Sequence, residues 1–119
     1  MAFLYILECT DGTLYTGIAA DIKKRMAEHR EGGAKCARYT RAHPYRELRI
    51  YWETDSLAHA AKGEYAVKQL PRPQKLKLIA EPELLKELCP RLKEYPFSPQ
   101  PAEEINLHLK KLVAKEEKR

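Results

Sequence analysis

The sequence predicts an α+β fold: a three-stranded antiparallel sheet flanked by helices, followed by a C-terminal helical extension. Three observations predict it. Two runs rich in aromatic and β-branched residues, Phe3 to Cys9 and Thr13 to Ala19, flank an Asp11-Gly12 turn. A third run, Glu47 to Thr54, alternates Leu48, Ile50 and Trp52 against Arg49, Tyr51 and Glu53. Helical start and stop signals fill the intervals. A series of strand, strand, helix, strand, helix, helix is too short for a doubly wound sheet, so helices packed on an antiparallel sheet are the natural solution.

The first two runs form a hairpin whose loop sets its register. A two-residue Asp-Gly loop puts Tyr5 and Tyr15 on opposite faces. A three-residue loop, Thr10-Asp11-Gly12, with Gly12 left-handed, sets Leu7 against Tyr15 and Tyr5 against Gly17. Both phenols then share a face. Gly12 suits the three-residue loop, which is the reading adopted. Asp21 caps a helix running to about Arg30, which Gly32-Gly33 end. Ile22 and Met26 form its buried edge, while Arg25 and His29, also four apart, project together. Residues 32–45 read as a basic loop without apolar period. After the third strand, Ser56 caps a second helix that Pro71 stops, with Leu57, Ala60, Ala61, Glu64 and Lys68 on one side. Gly63 beside Glu64 costs about 1 kcal/mol against alanine, which a close approach of another segment would explain. A short third helix covers residues 73–80.

Beyond residue 80 the composition changes. Residues 90–101 carry four prolines in 12 residues and read as an extended strap without regular structure. An amphipathic helix follows, with Ile105, Leu109 and Leu112 as its apolar stripe and acids at its start. The chain thus divides into a core at 1–80 and an extension at 81–119. The extension is expected to dock on the core, because a small domain needs the burial, or else to pair two chains into a dimer.

The totals of 119 residues, 44% hydrophobic and 33% charged, suit one globular domain. No apolar run approaches the roughly 20 residues of a membrane span, and the cytoplasm is the default location. Three cysteines without CxxC spacing argue against a disulfide framework or zinc site. Residues 1–80 hold 14 Lys+Arg against 9 Asp+Glu, whereas residues 81–119 hold 8 against 8. The whole excess of +5 therefore lies in the core segment, the expected side for a polyanionic partner.

The spaced set Tyr5, Tyr15, Gly17, Arg25, His29 and a helical Glu64 resembles the GIY-YIG nucleases, and most of all their small stand-alone prokaryotic members. The blocks DGTLYTGIAADIKKRMAEH, ARYTRAHP and EYAVKQL follow that group's order, over residues 3 to about 80. LYI and YTG stand where the family name has GIY and YIG, with Phe3 in place of the first glycine. The resemblance implies a divalent-metal-dependent nuclease that hydrolyses DNA phosphodiesters and serves repair or processing. RNA is left open as a substrate.

The residue types suit that chemistry. Negative charge spreads onto phosphoryl oxygens during in-line attack, and Arg25 offers them a permanently charged fork. Glu64 supplies one carboxylate, enough for a magnesium or manganese ion that keeps water ligands. By resemblance Tyr5 is the base and Tyr15 orients water or phosphate, while His29 holds a tyrosine hydroxyl or shuttles a proton; these roles are interchangeable on the sequence alone. Tyr5 would need Arg25 and the metal to favour its phenolate. Taken singly, the tyrosines are ordinary strand aromatics and Glu64 an ordinary helix former. In loop 34–43, Lys35, Arg38 and Arg41 around Tyr39 are the candidate nucleic-acid contacts. His43, His59 and Cys36 read as surface or packing residues. So small a domain has little surface for reading sequence, so it would recognise backbone shape, single strands or branched structures, or depend on a protein partner. The alternative is a nucleic-acid-binding module that keeps the fold and cuts nothing.

Overall fold

The computed structural model describes residues 1–33 and 35–117, with side chains up to Leu112. Ala34 and residues 118–119 lie outside the described residues. The hairpin of β1 (Ala2–Cys9) and β2 (Leu14–Ala19) has the three-residue loop. Gly12 takes φ +83°, the Gly12 N–H donates to the Cys9 carbonyl, and the Cys9 N–H to that of Thr13. Leu7 accordingly faces Tyr15, and Tyr5 faces Gly17.

The sheet has four strands rather than three, in the order β2-β1-β3-β4, all pairs antiparallel. β3 (Tyr45–Thr54) pairs with β1. The added strand, β4 (Ser98–Gln100), lies within the proline-rich stretch expected to lack regular structure. Pro99 sits opposite Trp52 on an edge strand, where a residue without an N–H does least harm to a ladder. A second correction concerns β3, whose simple alternation fails. Ile6 pairs with Ile50 but Leu7 with Leu48, so Arg49 is the extra residue of a bulge. Leu48 thereby turns to the face opposite Ile50 and Trp52.

Each face of the sheet carries a core. One gathers Leu4, Ile6, Ile50 and Trp52 under α3 (Leu57–Lys68), α4 (Arg72–Ala80) and, from residues 85–97, Leu85, Cys89, Leu92 and Phe97. The other gathers Tyr5, Leu7 and Leu48 under Ile22 and Met26 of α1 (Ile22–Glu31) and Ile105 and Leu109 of α6 (Glu103–Glu117). The stretch read as a plain loop contains a short helix, α2 (Arg38–Ala42), and another single turn, α5 (Leu85–Leu88), precedes the strap. The segment after residue 80 thus contributes to both cores. Asn106 of α6 also serves the bulge, bonding the Leu48 N–H at 3.1 Å and the Leu48 carbonyl at 2.9 Å.

Candidate active site

The site forms at the β2 edge. Tyr5 and Tyr15 rise from neighbouring strands onto one face, their rings 6.3 Å apart. Tyr5 leans over Gly17, where a Cβ would come within 2.5 Å of its hydroxyl, so only glycine leaves room for the phenol. Helix α1 begins at its Asp21 cap, whose carboxylate accepts from the Lys24 N–H, and presents Arg25 and His29 to the tyrosines.

Tyr5 and His29 are almost wholly buried and joined at 2.7 Å through the hydroxyl and Nε2. Their proton assignment follows from the next bond outwards. Thr40 of α2 donates its hydroxyl to the Ala37 carbonyl at 3.0 Å, leaving its oxygen to accept from His29 Nδ1 at 2.9 Å. Nδ1 therefore carries the hydrogen, and Nε2 accepts from Tyr5. Burial, with the Arg25 cation second, lowers the His29 pKa from 6.5 to about 4, so the imidazole is neutral. Burial, then Tyr15, pushes the Tyr5 phenol well above its ordinary 10 despite the hydrogen bond and charge of Arg25. The phenol is therefore neutral with Arg25 alone beside it, in keeping with the expectation that a phenolate there needs the metal as well. Burial, then Glu64, likewise raises Tyr15.

Arg25 donates to Glu28 at 3.1 Å and to the Lys35 carbonyl at 2.6 Å, which ties the start of the basic segment to the site. Glu64 comes from the other side. Helix α3 packs on the opposite face, drawn close because Gly63 lies against Leu4 and Phe97, where a Cβ would come within 2.8 Å. From there the Glu64 charge still contributes to raising the Tyr15 phenol, after burial, and least of the causes to raising Tyr5. Lys68, one turn on, lies 3.6 Å from Glu64 and 5.8 Å from the Tyr15 ring centre. Tyr5 and His29 thus form a buried back wall, with Tyr15, Arg25 and Glu64 partly exposed as the rim.

The candidate nucleic-acid contacts border that rim. Lys35, Arg38, Tyr39 and Arg41 are all exposed. Tyr39 stacks on Tyr15 at 5.5 Å and on His43 at 4.3 Å, and His43 Nδ1 bonds Asp11 of the hairpin turn at 2.5 Å. A ladder of three rings therefore runs from the site to the turn.

Residues 1–77 match the GIY-YIG catalytic domain. The chain belongs to the GIY-YIG family. A UPF0213 protein of Halobacterium salinarum is 44% identical over 75 residues, 63% of this chain and 95% of that one. Another, from Desulfotalea psychrophila, is 47% identical over 78 residues, 65% of this chain and 69% of that one. Among solved structures, the solution NMR structure of a UPF0213 protein from Bacillus halodurans is similar, at 41% identity over 67% of this chain and 84% of that one, with TM-score 0.43. GIY-YIG membership points to a nuclease family and hence to a nucleic-acid substrate. No helix among the described residues is long and apolar enough to cross a membrane.

Sequence reasoning missed two parts of this candidate site. Thr40, which fixes the His29 tautomer, gives no signal in a segment read as loop. The His43–Asp11 bond joins residues 32 apart, and only the fold reveals it.

Proposed function

We propose that the chain is a divalent-metal-dependent nuclease that hydrolyses DNA phosphodiesters in repair or processing, directed by backbone and strand structure. The observation that carries this reading is the buried Tyr5–His29 pair at 2.7 Å, flanked by Arg25 and facing a rim open to solvent.

The Glu64 side chain is partly exposed and opposed by a flexible lysine, so it can exchange that partner for a cation. Among the described residues no three His, Cys, Asp or Glu side chains gather. A lone hard oxygen donor fits magnesium or manganese, which would complete its shell with water and phosphate oxygens. When bound, such an ion supplies Lewis-acid stabilisation of charge on the phosphoryl oxygens.

The chain's own residues account for the proton path. Arg25 draws the phosphoryl oxygens into place, and Tyr15 holds the incoming water or phosphate by its hydroxyl. The water gives its proton to the Tyr5 oxygen while Tyr5 passes its own to His29 Nε2. The new oxygen–phosphorus bond forms as the opposite ester bond breaks, and the departing oxygen takes a proton from solvent. An arriving phosphate offsets the Arg25 cation, one of the causes that hold His29 neutral, and so raises the imidazole's proton affinity.

The test is a set of labelled flap, nicked, single-stranded and duplex DNAs with magnesium or manganese, cut by wild type and by Glu64→Ala. The reading expects cleavage of at least one substrate by wild type, and binding without cleavage by the variant. Binding by wild type with no substrate cut would favour a non-cleaving module.

A further inference from the structure

A groove of about 400 Å³ lies where α3 meets the extension, lined by Ala61, Lys62, Tyr65, Arg91, Leu92 and Tyr95. Leu92 is wholly buried and forms the apolar floor, whereas Tyr65 is 58% exposed. Each ring carries a cation: Arg91 lies 5.2 Å from the Tyr65 ring centre, and Lys62 lies 4.8 Å from that of Tyr95. Lys62 also donates to the Tyr95 hydroxyl at 2.7 Å, and His59 packs on that ring at 4.9 Å. Among the described residues neither Lys62 nor Arg91 forms an ion pair with a carboxylate.

Exposed aromatic surface over an apolar floor, edged by two cations without carboxylate partners, calls for a flat ligand that carries negative charge. A nucleotide of an unpaired strand meets both demands, because every base offers a π-face and every linkage a phosphate. The groove's position selects the same occupant. Tyr65 directly follows Glu64, about 100° further round α3, so a strand leaving the Glu64 rim across that helix reaches the groove. Arg91 and Tyr95 lie beyond residue 77, where the catalytic-domain match ends.

We propose that the extension and α3 together build a second nucleic-acid contact, in which one unstacked base lies on Tyr65 and the adjoining phosphates meet Arg91 and Lys62. This rests on the nuclease reading and deepens it, since the substrate then carries a single-stranded portion.

Fluorescence anisotropy with labelled single-stranded and blunt duplex DNA tests it, using the full chain with Glu64→Gln to prevent cutting. Adding Tyr65→Ala should weaken single-strand binding roughly tenfold, whereas Tyr65→Phe, which keeps the ring, should bind as the parent does. Adding Arg91→Ala should lower the salt slope of binding by about 1. Unchanged single-strand affinity in both Tyr65→Ala and Arg91→Ala, with circular dichroism confirming the fold, would overturn the proposal and leave the nuclease reading standing. An equal loss for blunt duplex would overturn it too, because duplex bases stay stacked. If the parent binds no DNA, the nuclease reading itself falls.

Discussion

Tyr5 lies directly across the sheet from Gly17, and a single methyl group added there would come within 2.5 Å of the Tyr5 hydroxyl and 2.9 Å of the Tyr15 ring. The glycine is therefore part of the site's geometry. Because Tyr5 is enclosed and held by His29, it cannot swing aside freely. Gly17→Ala should leave a folded protein whose cleavage falls roughly 100-fold, the scale of a displacement near 1 Å. Circular dichroism and a single-turnover cleavage assay check the two halves of that statement.

His29 links the site to acid stability. Its pKa is about 4 in the fold and 6.5 ordinarily, so between those values the unfolded chain binds more protons. The stabilisation is complete above pH 6.5 and is lost as the pH falls through 4, a total of roughly 3 kcal/mol. Thermal melts from pH 7 to 4.5 should show a smaller loss for His29→Gln than for wild type, whose buried imidazole must charge. Asp11, held at about 2 chiefly by its bond to His43, titrates below this window and leaves the comparison clean.

Asn106 ties the extension to the sheet by supplying both a donor and an acceptor to Leu48. Asn106→Leu removes both and leaves partly buried backbone groups short of partners, although the Tyr45 hydroxyl still accepts from the Leu48 N–H at 3.1 Å. The expected cost is about 2 kcal/mol, read as a lower urea midpoint with unchanged slope. A variant as stable as wild type would mean that solvent replaces Asn106 without penalty.

Much of the fold was legible because its signals are local. Gly12 after Thr10-Asp11 specified the hairpin register, and with it the shared face of the two tyrosines. Asp21 and Ser56 announced the starts of α1 and α3, and both side chains do accept the N–H three residues on. The close approach that Gly63 suggested is present against Leu4 and Phe97.

What stayed hidden depends on contacts distant in sequence. Proline density hid two ordered pieces of the stretch read as an extended strap: a 3-10 turn at Pro90–Leu92, and β4, because an edge strand accepts Pro99 and its pairing partner lies some 47 residues earlier, at Trp52. The bulge at Arg49 broke an alternation that looked regular, since its cause is the pairing with β1 and its support is Asn106. At the site, a Tyr5 phenolate was expected to need both Arg25 and the metal. Burial, which sequence does not reveal, outweighs Arg25 and leaves Tyr5 neutral against a neutral His29.

The most direct measurement is the single-turnover cleavage rate of Tyr5→Phe on whichever labelled DNA wild type cuts, with affinity measured alongside. Removing one hydroxyl deletes the proposed proton path to His29 while keeping the ring over Gly17. The account predicts a fall of about 100- to 10,000-fold with affinity nearly unchanged. Cleavage by Tyr5→Phe at the wild-type rate would contradict it.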